Sequence, residues 1–366
     1  MPSLKSRIVR FYLRRTRKKQ FASAEALNLR IKAERLIEDY HPPQKLRRKL
    51  HIRRRKIAGM PVYEVTPRRR PRHWRGAMRV IYMHGGAYLF QITPYHWNIV
   101  AEMAERLNAR ITVPIYPLAP EVKVERTFRK MMNLYGRVLK ETPADEVVFM
   151  GDSAGAHMAV VMSMLAAQQG MQVPSRQVLI SPGLDMSLAN PRLRELEKLD
   201  PWLAIDGGLE ALRLCAPDIP RDDWRISPIY GDLSVLPRTL ILTGSLDLLS
   251  ADSAIFAEKA AEAGVDMEFV LEEGMMHVWP LIDMPEARHA RNRIVAFLTG
   301  SEPVPVPGVM QLVLAAGYSA SQTWASQLRG RWASWGQASG EAWRASGDAI
   351  GRSAGNPARV RTGRLP

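Results

Sequence analysis

The tightest constraint on this chain is a junction. A β-rich run, Glu146 to Met150, leads directly into Gly151-Asp152-Ser153-Ala154-Gly155, and an apolar helical run, His157 to Ala167, follows at once. A strand that passes into a helix through so short a turn must bend sharply. The serine at the corner takes up a strained backbone, and the flanking glycines leave room for it. Its hydroxyl then stands at the C-terminal edge of a sheet, above a helix N-terminus. The Ala154 amide points the same way, toward any negative charge that develops there.

The same alternation runs through the middle of the chain. Strand-like segments lie at Lys56 to Val65 (a strand or hairpin), Arg79 to Met83, Arg110 to Val113, Val178 to Ser181, Thr239 to Thr243 and Met267 to Leu271. Between them, helical periodicity marks Trp97 to Leu107, Thr127 to Leu139, Asp252 to Ala263 and Pro285 to Leu298. Short apolar strands alternating with helices predict an α/β fold with a mostly parallel central sheet and helices on both faces. Two stretches break the pattern. Residues 186–230 are rich in Asp, Pro, Leu and Trp and read as an insertion with small helices. Glu302 to Gly308 places proline at every second position, which favours an extended linker. Three segments follow: 1–75, a catalytic body at 76–300, and a tail at 301–366. No 20- to 50-residue repeat is present.

Composition sets the class. Of 366 residues, 46% are hydrophobic and 24% charged, which excludes wholesale disorder. No run of 18 apolar residues suits a transmembrane helix. A single cysteine, Cys215, excludes an internal disulfide and a Cys-rich zinc site. The net charge of +16 is unevenly spread. Residues 1–75 hold 24 Lys or Arg against 5 acids, residues 76–300 hold 21 against 28, and residues 301–366 hold 7 against 3. The molecule is therefore an acidic body with a basic arm and a mildly basic tail. Such arms make electrostatic contacts to phosphate or serve as solvated faces. The first 20 residues lack the apolar core of a secretory signal. On a helix, Leu4, Ile8, Phe11 and Tyr12 share one face, with Lys5, Arg7, Arg10, Arg14 and Arg17 elsewhere. That pattern suits an anionic membrane or the protein's own body. A second helical stretch, Ser23 to Asp39, stops at Pro42 and Pro43.

A serine nucleophile needs a base, and the base needs an orienting acid. On a sheet of this kind the order is Ser, then Asp or Glu, then His. Past the helical run that opens at His157, the histidines are His277 and His289. His277 falls in a loop just past the strand Met267 to Leu271, whereas His289 falls within the last helix, at a position that suits solvent exposure. Asp247 follows the strand Thr239 to Thr243, and the runner-up Asp252 suits a helix cap. Open parallel sheets place their sites at strand C-termini, as His277 and Asp247 require. His84-Gly85-Gly86 also follows a strand, and consecutive glycines free backbone N–H groups to face a ligand.

With these residues in view, the chain resembles the hormone-sensitive-lipase-like family of α/β-hydrolase esterases. The resemblance rests on His84 to Tyr88, Tyr116 to Glu121, Gly151 to Gly155, Ser181 to Asp185, Gly244 to Asp247 and Gly274 to His277, in family order. It implies an α/β-hydrolase fold with a helical cap drawn from residues 20–50 and 186–225. It implies Ser153 as nucleophile, His277 as general base, Asp247 as its orienter, and the amides of Gly85, Gly86 and Ala154 as oxyanion donors. Three departures stand out: Ala87 replaces the third glycine of the oxyanion motif, Ala156 the second glycine after the elbow, and Leu248 the usual proline after the acid.

The function expected is serine carboxylic ester hydrolysis through an acyl-enzyme, on small to medium acyl esters, with no metal or cofactor. Amide or N-acetyl hydrolysis on the same residues is the near alternative. A non-catalytic binding protein on a hydrolase scaffold is the distant one, and such a chain is expected to have lost one of the three residues. The arm carries no recognised nucleic-acid module. A cytoplasmic location is expected. The ends read first as a cap helix and a loose tail, with the alternative of peripheral attachment through two weak anchors: the basic helix and a tail whose Trp324, Trp332, Trp335 and Trp343 fall on one helical stripe.

Overall fold

Nine strands form one sheet in the computed structural model, which describes residues 2–69, 78–302 and the backbone of 312–315. They are β1 (Leu50–Ile57), β2 (Met60–Pro67), β3 (Arg79–Met83), β4 (Arg110–Pro114), β5 (Val147–Asp152), β6 (Arg176–Ile180), β7 (Arg238–Gly244), β8 (Met267–Glu272) and β9 (Leu312–Ala315). Their order is β1-β2-β4-β3-β5-β6-β7-β8-β9. From β4 through β8 every neighbour is parallel. The β1–β2 hairpin and β9 are antiparallel additions at the two edges. Every residue of β3 and β5 is buried, the mark of central strands covered on both faces.

The helices are α1 (Leu4–Arg15), α2 (Arg17–Phe21), α3 (Ala24–Leu36), α4 (Pro94–Arg106), α5 (Val124–Leu139), α6 (Ala154–Gln168), α7 (Leu193–Leu199), α8 (Ile205–Cys215), α9 (Ser250–Glu262) and α10 (Pro285–Thr299). Chain order and sheet order disagree at one place. From β3 the chain steps outward to β4, then returns past β3 to β5 and runs the other way. The crevice between β3 and β5 is thus the topological switch point, where open α/β sheets place their sites. The loop after β3 carries Gly85 and Gly86, and the turn after β5 carries Ser153.

The three-segment division meets the sheet imperfectly. The hairpin β1–β2 lies within the segment 1–75 assigned to the arm, and β9 lies within the tail. Both are antiparallel additions outside the parallel body of the sheet. The first compact unit runs Met1–Ser319, and the second, Ala320–Pro366, lies outside the described residues, as do the four tail tryptophans. The insertion forms α7 and α8, against which α3 packs: Asn28 Nδ2 donates to Glu210 Oε1 at 2.6 Å.

The elbow admits no side chain at Gly155, where a Cβ falls within the van der Waals envelope of the Met83 carbonyl oxygen on β3. That neighbour is backbone and cannot swing aside. Gly155→Ala is therefore expected to lower stability by about 3 kcal/mol, the upper end of the usual cost of overpacking. Thermal and denaturant unfolding measure this, and an unchanged midpoint disproves the contact.

Candidate active site

Ser153 stands alone between β5 and α6, with φ 51 and ψ −120. A non-glycine residue in this region stores about 1–3 kcal/mol of strain and persists only where its surroundings hold it. Its N–H donates to the Ile180 carbonyl at 2.8 Å, and its carbonyl accepts from the His157 N–H at 3.0 Å. The Ala154 N–H opens α6 and so has no acceptor within the helix. Across the crevice, a Cβ on Gly85 collides with the Asp152 carboxylate. The loop after β3 can therefore lie against the elbow only with glycine there. Ala87, in place of a glycine, adopts φ 54, at a cost of about 1 kcal/mol. Ala156 is fully buried in α6.

Loops after β7 and β8 bring two further side chains to the serine. His277 Nε2 lies 2.9 Å from Ser153 Oγ. Its Nδ1 lies 3.1 Å from each oxygen of Asp247. The structure thus brings Ser153, His277 and Asp247 into one hydrogen-bonded line. Burial by itself pushes the imidazole down, but the carboxylates of Asp247, Asp200 and Asp152 outweigh it and hold His277 above its ordinary value. Burial likewise pushes Asp247 up, and the facing His277, with hydrogen bonds from Ser181 and the Leu249 amide, holds it below the usual carboxylate range.

The runner-up residues lie elsewhere. Asp252 does not cap α9, whose N-cap is Leu249. Its carboxylate instead accepts from Asn190 Nδ2 at 2.7 Å, and burial pushes it up to about 7. His289 is half-buried on α10 rather than exposed.

Two residues of this site escape a sequence reading. The Ser181 hydroxyl accepts from the Val278 N–H at 3.0 Å and also bonds Asp247, so it ties the two loops together. Its motif is visible in the sequence, but its role is not. Asp200, in the insertion, is wholly buried. One oxygen accepts from the amides of Trp202 and Leu203 at 2.6 and 2.8 Å, and the other from the Leu248 amide at 2.7 Å. It joins the cap to the residue that follows Asp247. Burial and the nearby Asp247 push its carboxyl up to about 6. Only a local turn signal, an Asp before Pro201, marks it in the sequence. Trp202 then sets its edge against the His277 ring, centroids 5.9 Å apart.

Polar groups behind the elbow support it. Tyr82 donates to Asp152 Oδ1 at 2.6 Å, and His96 Nε2 reaches Oδ2 at 3.2 Å. His84 stacks on Tyr116 and bonds the Gly85 carbonyl at 2.7 Å, and burial pushes it down to about 3, so it stays neutral.

Ser153 opens into a cavity of about 890 Å³, counting its mouth. Its wall includes Phe21, Met186, Leu188, Leu203, Leu212 and Leu248. Tyr88 and His157 are among its few polar members, and they satisfy each other. His157 Nε2 donates to the Ile226 carbonyl at 3.0 Å, which leaves Nδ1 to accept from Tyr88 at 2.6 Å. Burial lowers His157 to about 4, so this pair is uncharged. Such a cavity takes hydrocarbon and offers it no charge.

Comparisons with known proteins agree with this fold. The family described as alpha/beta hydrolase fold matches residues 80–281. An esterase of Acinetobacter venetianus is 33% identical over 225 residues, covering 60% of this chain and 74% of that protein. A triacylglycerol lipase of Mycobacterium tuberculosis is 30% identical over 225 residues, covering 61% of this chain but only 46% of the lipase. Among solved structures, a hormone-sensitive lipase from a metagenome library is similar with a TM-score of 0.68 at 24% identity, covering 82% of this chain and 100% of that one.

The second carboxylate beside the histidine has a measurable consequence. Because Asp200 helps raise His277, Asp200→Asn is expected to lower the pKa of that imidazole while Asp247 stays in place. Proton NMR of the imidazole across pH 5 to about 9 reads the shift. An unmoved or raised value means that Asp200 acts on packing alone.

Proposed function

The chain belongs to the alpha/beta hydrolase fold family, and from this premise we propose that it is one of the hormone-sensitive-lipase-like esterases and hydrolyses carboxylic esters through an acyl-enzyme on Ser153. The observation that carries this reading is the unbroken line from Ser153 Oγ to His277 to Asp247 at the mouth of an apolar cavity. The acyl chain lies along the cavity wall. Ser153 Oγ attacks the ester carbonyl carbon as its proton passes to His277 Nε2. The tetrahedral oxyanion is met by the amides of Gly85, Gly86 and Ala154. Collapse breaks the bond to the alcohol oxygen, which leaves with the proton from His277. Water then attacks the acyl carbon, His277 takes its proton, and the acid departs as Ser153 is restored. Asp247 remains a carboxylate throughout; it orients the imidazole and offsets the charge of the imidazolium.

Ser153→Ala is expected to reduce ester turnover by several orders of magnitude, up to about 10⁶-fold, with the fold intact. A burst of alcohol release, and an acyl adduct on Ser153 by mass spectrometry, test the intermediate directly. Near-normal turnover by Ser153→Ala would falsify the mechanism. The wild-type rate should rise with pH, because only the neutral imidazole accepts the proton. The carboxylates around His277 place that rise above the ordinary histidine value of about 6.5. A matched amide run beside each ester reports whether the same residues cleave the stronger bond.

Substrate size follows from the wall. A Cβ at Gly208, on α8, meets nothing within 4 Å, and Gly208 lines the cavity. A side chain can therefore start from Gly208 without displacing a neighbour, and Gly208→Phe adds a ring to the cavity wall. It is expected to cut kcat/KM for a medium-length acyl ester about tenfold relative to the acetyl ester, on the scale of a few blocked methylenes. An aryl ester series reads this ratio, and an unchanged ratio moves the acyl chain out of this cavity.

A further inference from the structure

Helix α1 is mounted the wrong way round for a surface helix. An amphipathic helix normally turns its apolar stripe to the core. Here the side toward the body carries Ser6 and Leu13, which are buried, and Val9, which packs against the core. The opposite side carries Leu4, Ile8, Phe11 and Tyr12, exposed by 70, 60, 62 and 60%. At about 100° per residue, the buried group centres roughly half a turn from the exposed row. Polar contacts fix this orientation. The Ser3 N–H donates to Glu286 Oε1 at 2.6 Å and its hydroxyl to Oε2 at 3.0 Å. Lys5 Nζ pairs with Asp283 at 2.7 Å, and Arg14 donates to the Lys198 carbonyl at 2.8 Å.

Four large apolar side chains in a row on an otherwise charged helix mark an interaction surface rather than scattered exposure. The surrounding charge selects the partner. Residues 1–20 contain eight Lys or Arg and no acid. Arg7 and Arg15 are exposed beside the row, and the Arg15 guanidinium lies 4.6 Å from the Phe11 ring centre. A second copy of this chain docked face to face would set two basic surfaces against each other. A nucleic acid offers phosphate but no place for Leu4, Ile8 and Phe11. An anionic bilayer surface takes both features, with hydrocarbon at the acyl boundary and phosphate around it.

We propose that the outward face of α1 docks this protein on an anionic lipid surface, with Leu4, Ile8, Phe11 and Tyr12 inserted at the headgroup boundary and Arg7 and Arg15 on the lipid phosphates. The contact lies on the surface and does not cross it: among the described residues, no helix is long and apolar enough to span a membrane. The helix is already formed and held, so docking does not have to order it. It is also joined to the cavity. The chain leaving α1 enters α2, where Lys18 donates to the carbonyls of Glu197 and Leu203 and Phe21 joins the cavity wall. Docking therefore anchors the segment that builds one side of the cavity.

Flotation of the full chain with phosphatidylcholine vesicles, with and without about 30 mol% phosphatidylserine, tests this. The intact protein is expected to partition at least about tenfold better onto the anionic vesicles and to be released at about 0.5 M salt. Ile8→Ser with Phe11→Ser, which leaves charge unchanged, should lose about tenfold in partitioning. Arg7→Gln with Arg15→Gln should lose a similar factor on anionic vesicles only. Both variants should keep the wild-type unfolding temperature and turnover of a water-soluble ester. An environment-sensitive label on Ile8→Cys should shift to the blue on anionic vesicles. If the intact chain stays soluble at low salt, or the Ile8→Ser/Phe11→Ser protein floats as well as wild type, the proposal is overturned. It is equally overturned if the chain is a dimer that this pair of substitutions dissociates while vesicles stay unbound.

Discussion

Everything at this site depends on how closely the turn after β5 approaches the backbone of β3. Gly155 lies against the Met83 carbonyl, and Gly85 lies against the Asp152 carboxylate. Neither contact leaves room for a Cβ. Because β3 and β5 are hydrogen-bonded neighbours from Arg79–Val147 to Met83–Gly151, their C-terminal ends leave the sheet side by side. The serine and the glycine-rich loop are thereby set on opposite walls of one crevice. The strain at Ser153 is sustained by the sheet itself, through the Ile180 carbonyl on the next strand. Local distortion and global topology are here one constraint.

The second layer of control comes from the insertion. A largely apolar wall beside a buried imidazole and two buried carboxylates is costly unless each polar atom finds a partner. Asp200 finds three amides, one of them on the loop that carries Asp247. The cap is thus more than a lid over the cavity. It adds negative charge near His277 and fixes the backbone beside its partner acid. Tyr88 and His157 solve the same problem within the wall by bonding each other.

How much of this was legible in the sequence depends on distance along the chain. Ser153, Asp247 and His277 each follow a strand closely, so an alternation of strands and helices suffices to bring them to one edge of the sheet. Gly85 and Gly86 follow β3 in the same way. Asp200 lies in an irregular stretch, where no period says which side chain points inward, and its partners are backbone amides that leave no trace in residue types. The edge strand β1 buries few of its residues, so only its junction with β2, read as a strand or hairpin at Lys56 to Val65, stands out in the sequence. Asp252 carries an ambiguous signal. An acid in the first turn of a helix suits that helix's dipole wherever its carboxylate goes, and here it goes to Asn190.

Helix α1 shows where periodicity stops being informative. The spacing of Leu4, Ile8, Phe11 and Tyr12 establishes that an apolar stripe exists, yet a stripe has no address. Which surface it meets is decided by the contacts that hold the rest of the helix. Ser3 on Glu286, Lys5 on Asp283, Arg14 on the Lys198 carbonyl and the single buried Leu13 together suffice to hold α1 by its poorer face. Turning the stripe inward instead would break these polar contacts and bury arginines beside it, at a desolvation cost that apolar burial does not offset without partners for each charge. The helix is therefore more stable with its apolar row outward. A row held outward by such a balance keeps its affinity for a surface that can accept apolar groups and arginines together.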